Sequence, residues 1–142
     1  MKNNKVLTVM LIILVSITLL GVVLFVLYTQ LNKEQGTLEP TIDEILEASV
    51  DVPEITTNLA DKKYVRLQLK IQTTSEKAAE ELSKRDFQVK NIIIQELSEM
   101  TQEDLKGKEG KVLFEKTLKV HINDLMQVGE VKQVYITSYV IN

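Results

Sequence analysis

His121 is the single histidine of the chain and cysteine is absent, so neither an imidazole cluster around a metal nor a thiolate nucleophile can be assembled. Nucleophilic catalysis needs a base beside a nucleophile and a group that orients the base, and no such set is legible. His121 sits in the run HINDLM between core-facing positions and reads as a satisfied or surface histidine. The acidic pairs Glu80-Glu81 and Glu103-Asp104 could act as general acid and base or hold a hard cation. Neighbouring residues on a helix face different ways, however, so both pairs read as solvated carboxylates. Gly107-Lys108-Glu109-Gly110-Lys111 looks like a phosphate loop but lacks the G-x-x-x-x-G-K-[ST] spacing and follows no recognisable strand, which leaves a turn. Tyr135 and Tyr139, on one face of a strand with Thr137, are read as sheet packing, with a contact surface as the other option. The expectation is therefore a protein that is no enzyme, with no catalytic, cofactor-binding or metal-binding residues.

The elements that would carry a non-catalytic role begin at the N-terminus. Val6 to Tyr28 holds no charged residue, and at about 1.5 Å per residue it makes roughly 35 Å of helix, enough to cross a hydrocarbon core of about 30 Å. A cleaved signal peptide has a shorter apolar region and a small-x-small cleavage site, whereas the flank here is TQLNKEQG, without alanine. The run is read as an uncleaved anchor. Lys2 and Lys5 in the tail MKNNK are unopposed by acid, which places residues 1–5 in the cytoplasm and everything after Leu31 outside. Ser16, Thr18 and Gly21 offer a close-packing face to another helix, although GxxxG is missing.

Residues 29–54 are expected to form an acidic linker. Between Asn32 and Glu54 one lysine faces seven acids, while from Ile55 onward 14 basic residues nearly balance 13 acidic ones. That sign does not suit nucleic acid or an anionic lipid surface; it suits a solvated spacer or a docking site for a basic partner. Thr41 and Glu44 have capping-box spacing and start a short helix that carries Ile42, Ile45 and Leu46 on one face. These three are the candidate partner contacts.

From 55 to 142 the pattern is that of one small domain. EITTNL is extended, Asp61-Lys62-Lys63 reads as a hairpin turn, and Tyr64 to Thr73 alternates strictly, with Val65, Leu67, Leu69 and Ile71 inward. After Thr74-Ser75, a possible cap, Ala78, Ala79 and Leu82 mark one helical face, and Val89, Ile92, Ile93, Leu97 and Met100 a second. A loop bracketed by Gly107 and Gly110 precedes a helix with Phe114, Leu118, Ile122 and Leu125 on one face, closed by Gly129. The chain ends in a strand alternating Val134, Ile136 and Val140 against Tyr135, Thr137 and Tyr139. Strands at the two ends with helices between them predict an α+β domain, a sheet covered by helices.

Several segments taken in order resemble the flagellar basal body-associated protein family FliL: the uncharged N-terminal span, VPEITTNLAD, SKRDFQVKNIIIQELSEMT, KGKEGKVL, and INDLMQVGEVKQVYITSYVIN. The resemblance covers nearly the whole chain; the one small departure is the terminal Asn142, where the family usually has Gln or a similar polar residue. It implies a stomatin-like (SPFH-like) domain, outside the cell membrane beside the flagellar motor. It also implies association with the basal body and the stator, rings of copies around a stator, and support of stator engagement, torque, motility and chemotaxis. The resemblance brings no catalytic residues and no cofactor. An anchor confining a weakly self-associating domain to a plane would favour such rings by raising its effective concentration. The alternative, from a different class, is a membrane-tethered extracytoplasmic ligand-binding or sensor module, which needs a concave apolar pocket with a few convergent polar groups.

Overall fold

The computed structural model describes residues 2–34 and 39–142; Met1 and residues 35–38, in the expected tail and linker, lie outside the described residues. The uncharged run forms one helix, α1 (Lys2–Glu34), and an 18-residue window within its segment Asn4–Gln30 has a mean hydropathy of 3.1. The hydroxyls of Thr8, Ser16 and Thr18 each donate to the carbonyl four residues earlier, at 2.7–2.8 Å. These three hydroxyls are thereby satisfied within the helix, as a hydrocarbon environment demands, and the element fits a single membrane span.

Pro40–Asn142 forms a separate compact unit. It runs α2 (Ile42–Glu47), β1 (Ser49–Asn58), β2 (Tyr64–Thr73), α3 (Glu76–Lys84), α4 (Asp86–Glu99), α5 (Gly107–Asn123) and β3 (Val131–Ile141). The strands make one antiparallel sheet in the order β1-β2-β3. Strict alternation on β2 does what its period requires: Val65, Leu67, Leu69 and Ile71 are all buried on one face, each worth about 1.5–3 kcal/mol of apolar burial. The helices supply the other half of that core, with Leu82 from α3, Val89, Ile93 and Leu97 from α4, and Phe114, Leu118 and Ile122 from α5. The α+β class and the helix-covered sheet are as expected.

The turn joining β1 to β2 is at Asp61-Lys62-Lys63, where Lys62 takes φ +67° and Leu59 N–H donates to the Lys63 carbonyl at 2.8 Å. Asp61 holds the turn in place, accepting from the N–H groups of Lys63 at 3.3 Å and Gln102 at 2.9 Å.

Four local features differ from the sequence reading. Strand β1 begins at Ser49, upstream of the extended run expected from Glu54. Pro53 sits at a register shift between Val52 and Ile55, so the proline is absorbed as an edge-strand bulge and does not end the strand. Helix α5 begins at Gly107 and takes in both glycines that were expected to bracket a loop. Gly110 is needed there because a Cβ at that position would collide with the Asp104 carbonyl. The same helix ends at Asn123, so Gly129 does not close it; Gly129 instead takes φ +64° in the following loop, where a Cβ would crowd Ala78 at 2.9 Å.

The fourth difference is on β3. Two register shifts leave Lys132 and Thr137 without partners on β2. Because each extra residue inverts the faces, the inward set is Val131, Val134, Ile136, Tyr139 and Ile141, paired with Thr73, Ile71, Leu69, Leu67 and Val65. Val140, expected inward, is 48% exposed. The outer edge of this strand is occupied by side chains of α5. Asn123 accepts from Val131 N–H at 2.6 Å and donates to its carbonyl at 3.2 Å, while Glu115 accepts from Ile136 N–H at 3.0 Å.

Candidate interaction surface

Helix α2 is only six residues long, too short to persist alone, and two devices hold it. The expected capping box forms at its start: Thr41 N–H donates to the Glu44 carboxylate at 2.7 Å and Glu44 N–H to Thr41 Oγ1 at 3.3 Å. At its end, the Ala48 carbonyl accepts from Thr73 N–H at 2.8 Å and lies 2.8 Å from the Thr73 hydroxyl. Thr73 is only 2% exposed, so this tie to the end of β2 is made out of water.

The helix so fixed presents Ile42 and Leu46, 67% and 50% exposed, while Ile45 between them is half-buried. Three of its six residues are acidic, and no basic residue occurs from Pro40 to Asp61. The arrangement is an apolar pair rimmed by carboxylates, a surface suited to an apolar patch with a basic border.

The residues singled out for chemistry have other occupations. His121 Nδ1 lies 2.8 Å from Glu96 Oε1 and links α5 to α4. Glu103 pairs with Lys106 at 3.3 Å. Asp104 accepts from the Thr101 hydroxyl and N–H, both at 2.7 Å; the Thr101 side chain, then its N–H, hold this carboxyl below its ordinary value, against a smaller opposing effect of burial. Tyr135 and Tyr139 do not share a face, because the extra residue Thr137 lies between them. Tyr135 is outward and donates to Gln72 Oε1 at 2.9 Å. Tyr139 is inward, beneath Lys111 Nζ at 4.7 Å from the ring centroid, and burial raises its phenol above the ordinary 10.0. Among the described residues no group of three or more His, Asp or Glu side chains converges as metal ligands would.

Glu81 is the residue whose role the sequence hid. Its carboxylate accepts from the backbone N–H groups of Gln127 at 3.0 Å and Val128 at 2.6 Å and from Arg85 Nε at 2.8 Å. It thereby fastens the loop after α5 to α3. Burial of the carboxyl disfavours its charge, but the Val128 N–H, Arg85 and the Gln127 N–H together outweigh this and hold its pKa below the ordinary 4.5. A recess of about 590 Å³ beside the clamp is lined by Lys77, Glu80, Lys84, Gln88 and the clamp residues, with Val128 as the apolar contributor.

Residues 49–141 match the family model described as flagellar basal body-associated protein FliL. The protein named Flagellar protein FliL of Bacillus subtilis (strain 168) is 46% identical to this chain over 108 residues, covering 76% of this chain and 77% of its own length. The Flagellar protein FliL of Aquifex aeolicus (strain VF5) is 26% identical over 92 residues, covering 63% of this chain and 57% of its own.

Proposed function

Because this chain belongs to the FliL family of flagellar basal body-associated proteins, we propose that it acts at the flagellar motor as a non-enzymatic stator-associated protein that supports stator engagement and torque. Residues 6–28 are the membrane span, the N-terminal tail is cytoplasmic, and the folded unit lies outside the membrane with a stomatin-like fold. Copies gather in the plane of the membrane into a ring around a stator, helped by the raised effective concentration that anchoring gives. The observation that carries a contact role is α2, whose exposed Ile42 and Leu46 are held rigidly within an acidic rim. Solvent-exposed apolar side chains fixed on a capped helix gain most by being covered.

A clean deletion tests the reading. Torque should fall most under high load, where many engaged stators are needed, while filaments still appear by microscopy. Normal torque and normal stator occupancy in the deletion strain would refute it and favour the membrane-tethered ligand-binding module.

A further inference from the structure

The two edges of the sheet are unlike. On β3 the outward backbone groups at Val131 and Ile136 are taken by Asn123 and Glu115. On β1 the downstream half is closed by Pro53 and its bulge, since a proline offers no N–H to a further strand. The upstream half, Ser49–Val52, has no such protection. Thr73 N–H donates to the Ala48 carbonyl, and an antiparallel ladder alternates, so Val50 and Val52 bond to β2 while the N–H and C=O of Ser49 and Asp51 point away from it. Among the described residues no side chain or backbone group bonds to these outward groups. An unpaired edge of this kind is a template for strand addition.

Beneath that half-edge, between β1 and helices α3 and α4, lies a recess of about 220 Å³ lined in part by Val50, Val52, Leu82 and Val89, together with Asp51 and Asp86. It is smaller than the roughly 300–1,000 Å³ of small-molecule pockets and suits one branched aliphatic side chain. Both carboxylates of the recess are paired, Asp51 with Lys70 at 2.9 Å and Asp86 with Lys90 at 2.8 Å, so the charge of the occupant is set by the chain leading into the edge, which carries Asp43, Glu44 and Glu47 with no basic residue from Pro40 to Asp61.

We propose that the Ser49–Val52 edge is a docking site for an extended, basic-flanked segment of a partner chain, which adds to β1 as a fourth strand and seats one aliphatic side chain in the recess. Main-chain bonds to Ser49 and Asp51 supply the affinity; the recess and the carboxylates select the sequence.

The test uses the full chain in an uncharged detergent and a fluorescein-labelled peptide Lys-Val-Lys-Leu-Lys-Val-Lys, with a second peptide in which glutamate replaces every lysine. Fluorescence anisotropy should show binding of the lysine peptide and none of the glutamate peptide at the same concentrations. Asp51→Pro removes the outward N–H together with the carboxylate paired with Lys70 at 2.9 Å; measured against Asp51→Asn, which loses the same ion pair and keeps the N–H, it should weaken binding about tenfold or more. Amide exchange on the unmodified chain gives a measurement independent of that variant's folding: the lysine peptide should slow exchange at Ser49 and Asp51. Unchanged exchange at these two amides, or equal binding of the two peptides, overturns the proposal, as does full affinity in a folded Asp51→Pro. Protection of the same amides that rises with protein concentration and without peptide overturns it in favour of a second copy of this chain.

Discussion

A single carboxylate, that of Glu81, holds three N–H donors drawn from two places in the chain, Arg85 on its own helix and Gln127 and Val128 in the loop after α5. Its pKa in the folded protein is lowered, so its contribution to stability is complete above the ordinary 4.5 and is lost as pH falls through the folded value. Thermal unfolding followed by circular dichroism from about pH 7 down to about pH 3 should show this loss, and Glu81→Gln should lower the midpoint near neutral pH while flattening the acid limb. An acid limb identical in the variant and the parent would contradict the clamp. Thr73 should behave as a tie and not as core: Thr73→Val keeps the volume but removes the hydroxyl beside the Ala48 and Ser75 carbonyls, and should cost about 1–3 kcal/mol in urea unfolding. At this scale the sequence spoke where partners are near. Thr41 and Glu44, three residues apart, announce their capping box, and Ser75 its helix. Glu81 gave no sign, because its loop donors are more than forty residues away in sequence and a carboxylate looks alike whether it is solvated or buried against backbone amides.

Elements were legible where the period was unbroken. All of β2 and the inward faces of α3 and α4 follow from alternation or three-and-four spacing alone. The C-terminal strand defeats that rule, since bulges are set by the partner strand and by the α5 side chains on the edge, neither of which local spacing records. The consequence is measurable. Val140→Ser, which regular alternation would place in the core, should change stability by no more than about 0.5 kcal/mol. Ile141→Ser, paired with Val65 on the inner face, should cost about 1–2 kcal/mol. A reversed order would mean that β3 runs without its bulge at Thr137. For α2, replacing Ile42, Ile45 and Leu46 together by Ser removes an apolar face of which two residues are largely exposed. The folded unit should survive, as read by circular dichroism, while torque under high load falls part of the way towards that of the deletion. Unaltered torque would remove α2 from the contact surface.

For the molecule as a whole, class and order were readable because a long uncharged run and a strand–helix–strand succession admit few architectures. Mass analysis of the membrane-bound protein should find residues 1–31 still attached, whereas an N-terminus beyond Gln30 would contradict the anchor. The unit from Pro40 should fold alone, since its core residues all lie within it, and sedimentation in dilute buffer should show a monomer. The strand order has a consequence in time. β1 and β2 are neighbours in sequence and can meet early, yet the other flank of β2 waits for a partner that lies beyond three helices. Pairing across such a loop is slow relative to local contacts. During synthesis the β1–β2 hairpin is therefore made with the second edge of β2 unpaired, and that edge stays open until nearly the whole domain has left the ribosome. That interval is when this chain is most open to a chaperone, and to its own kind.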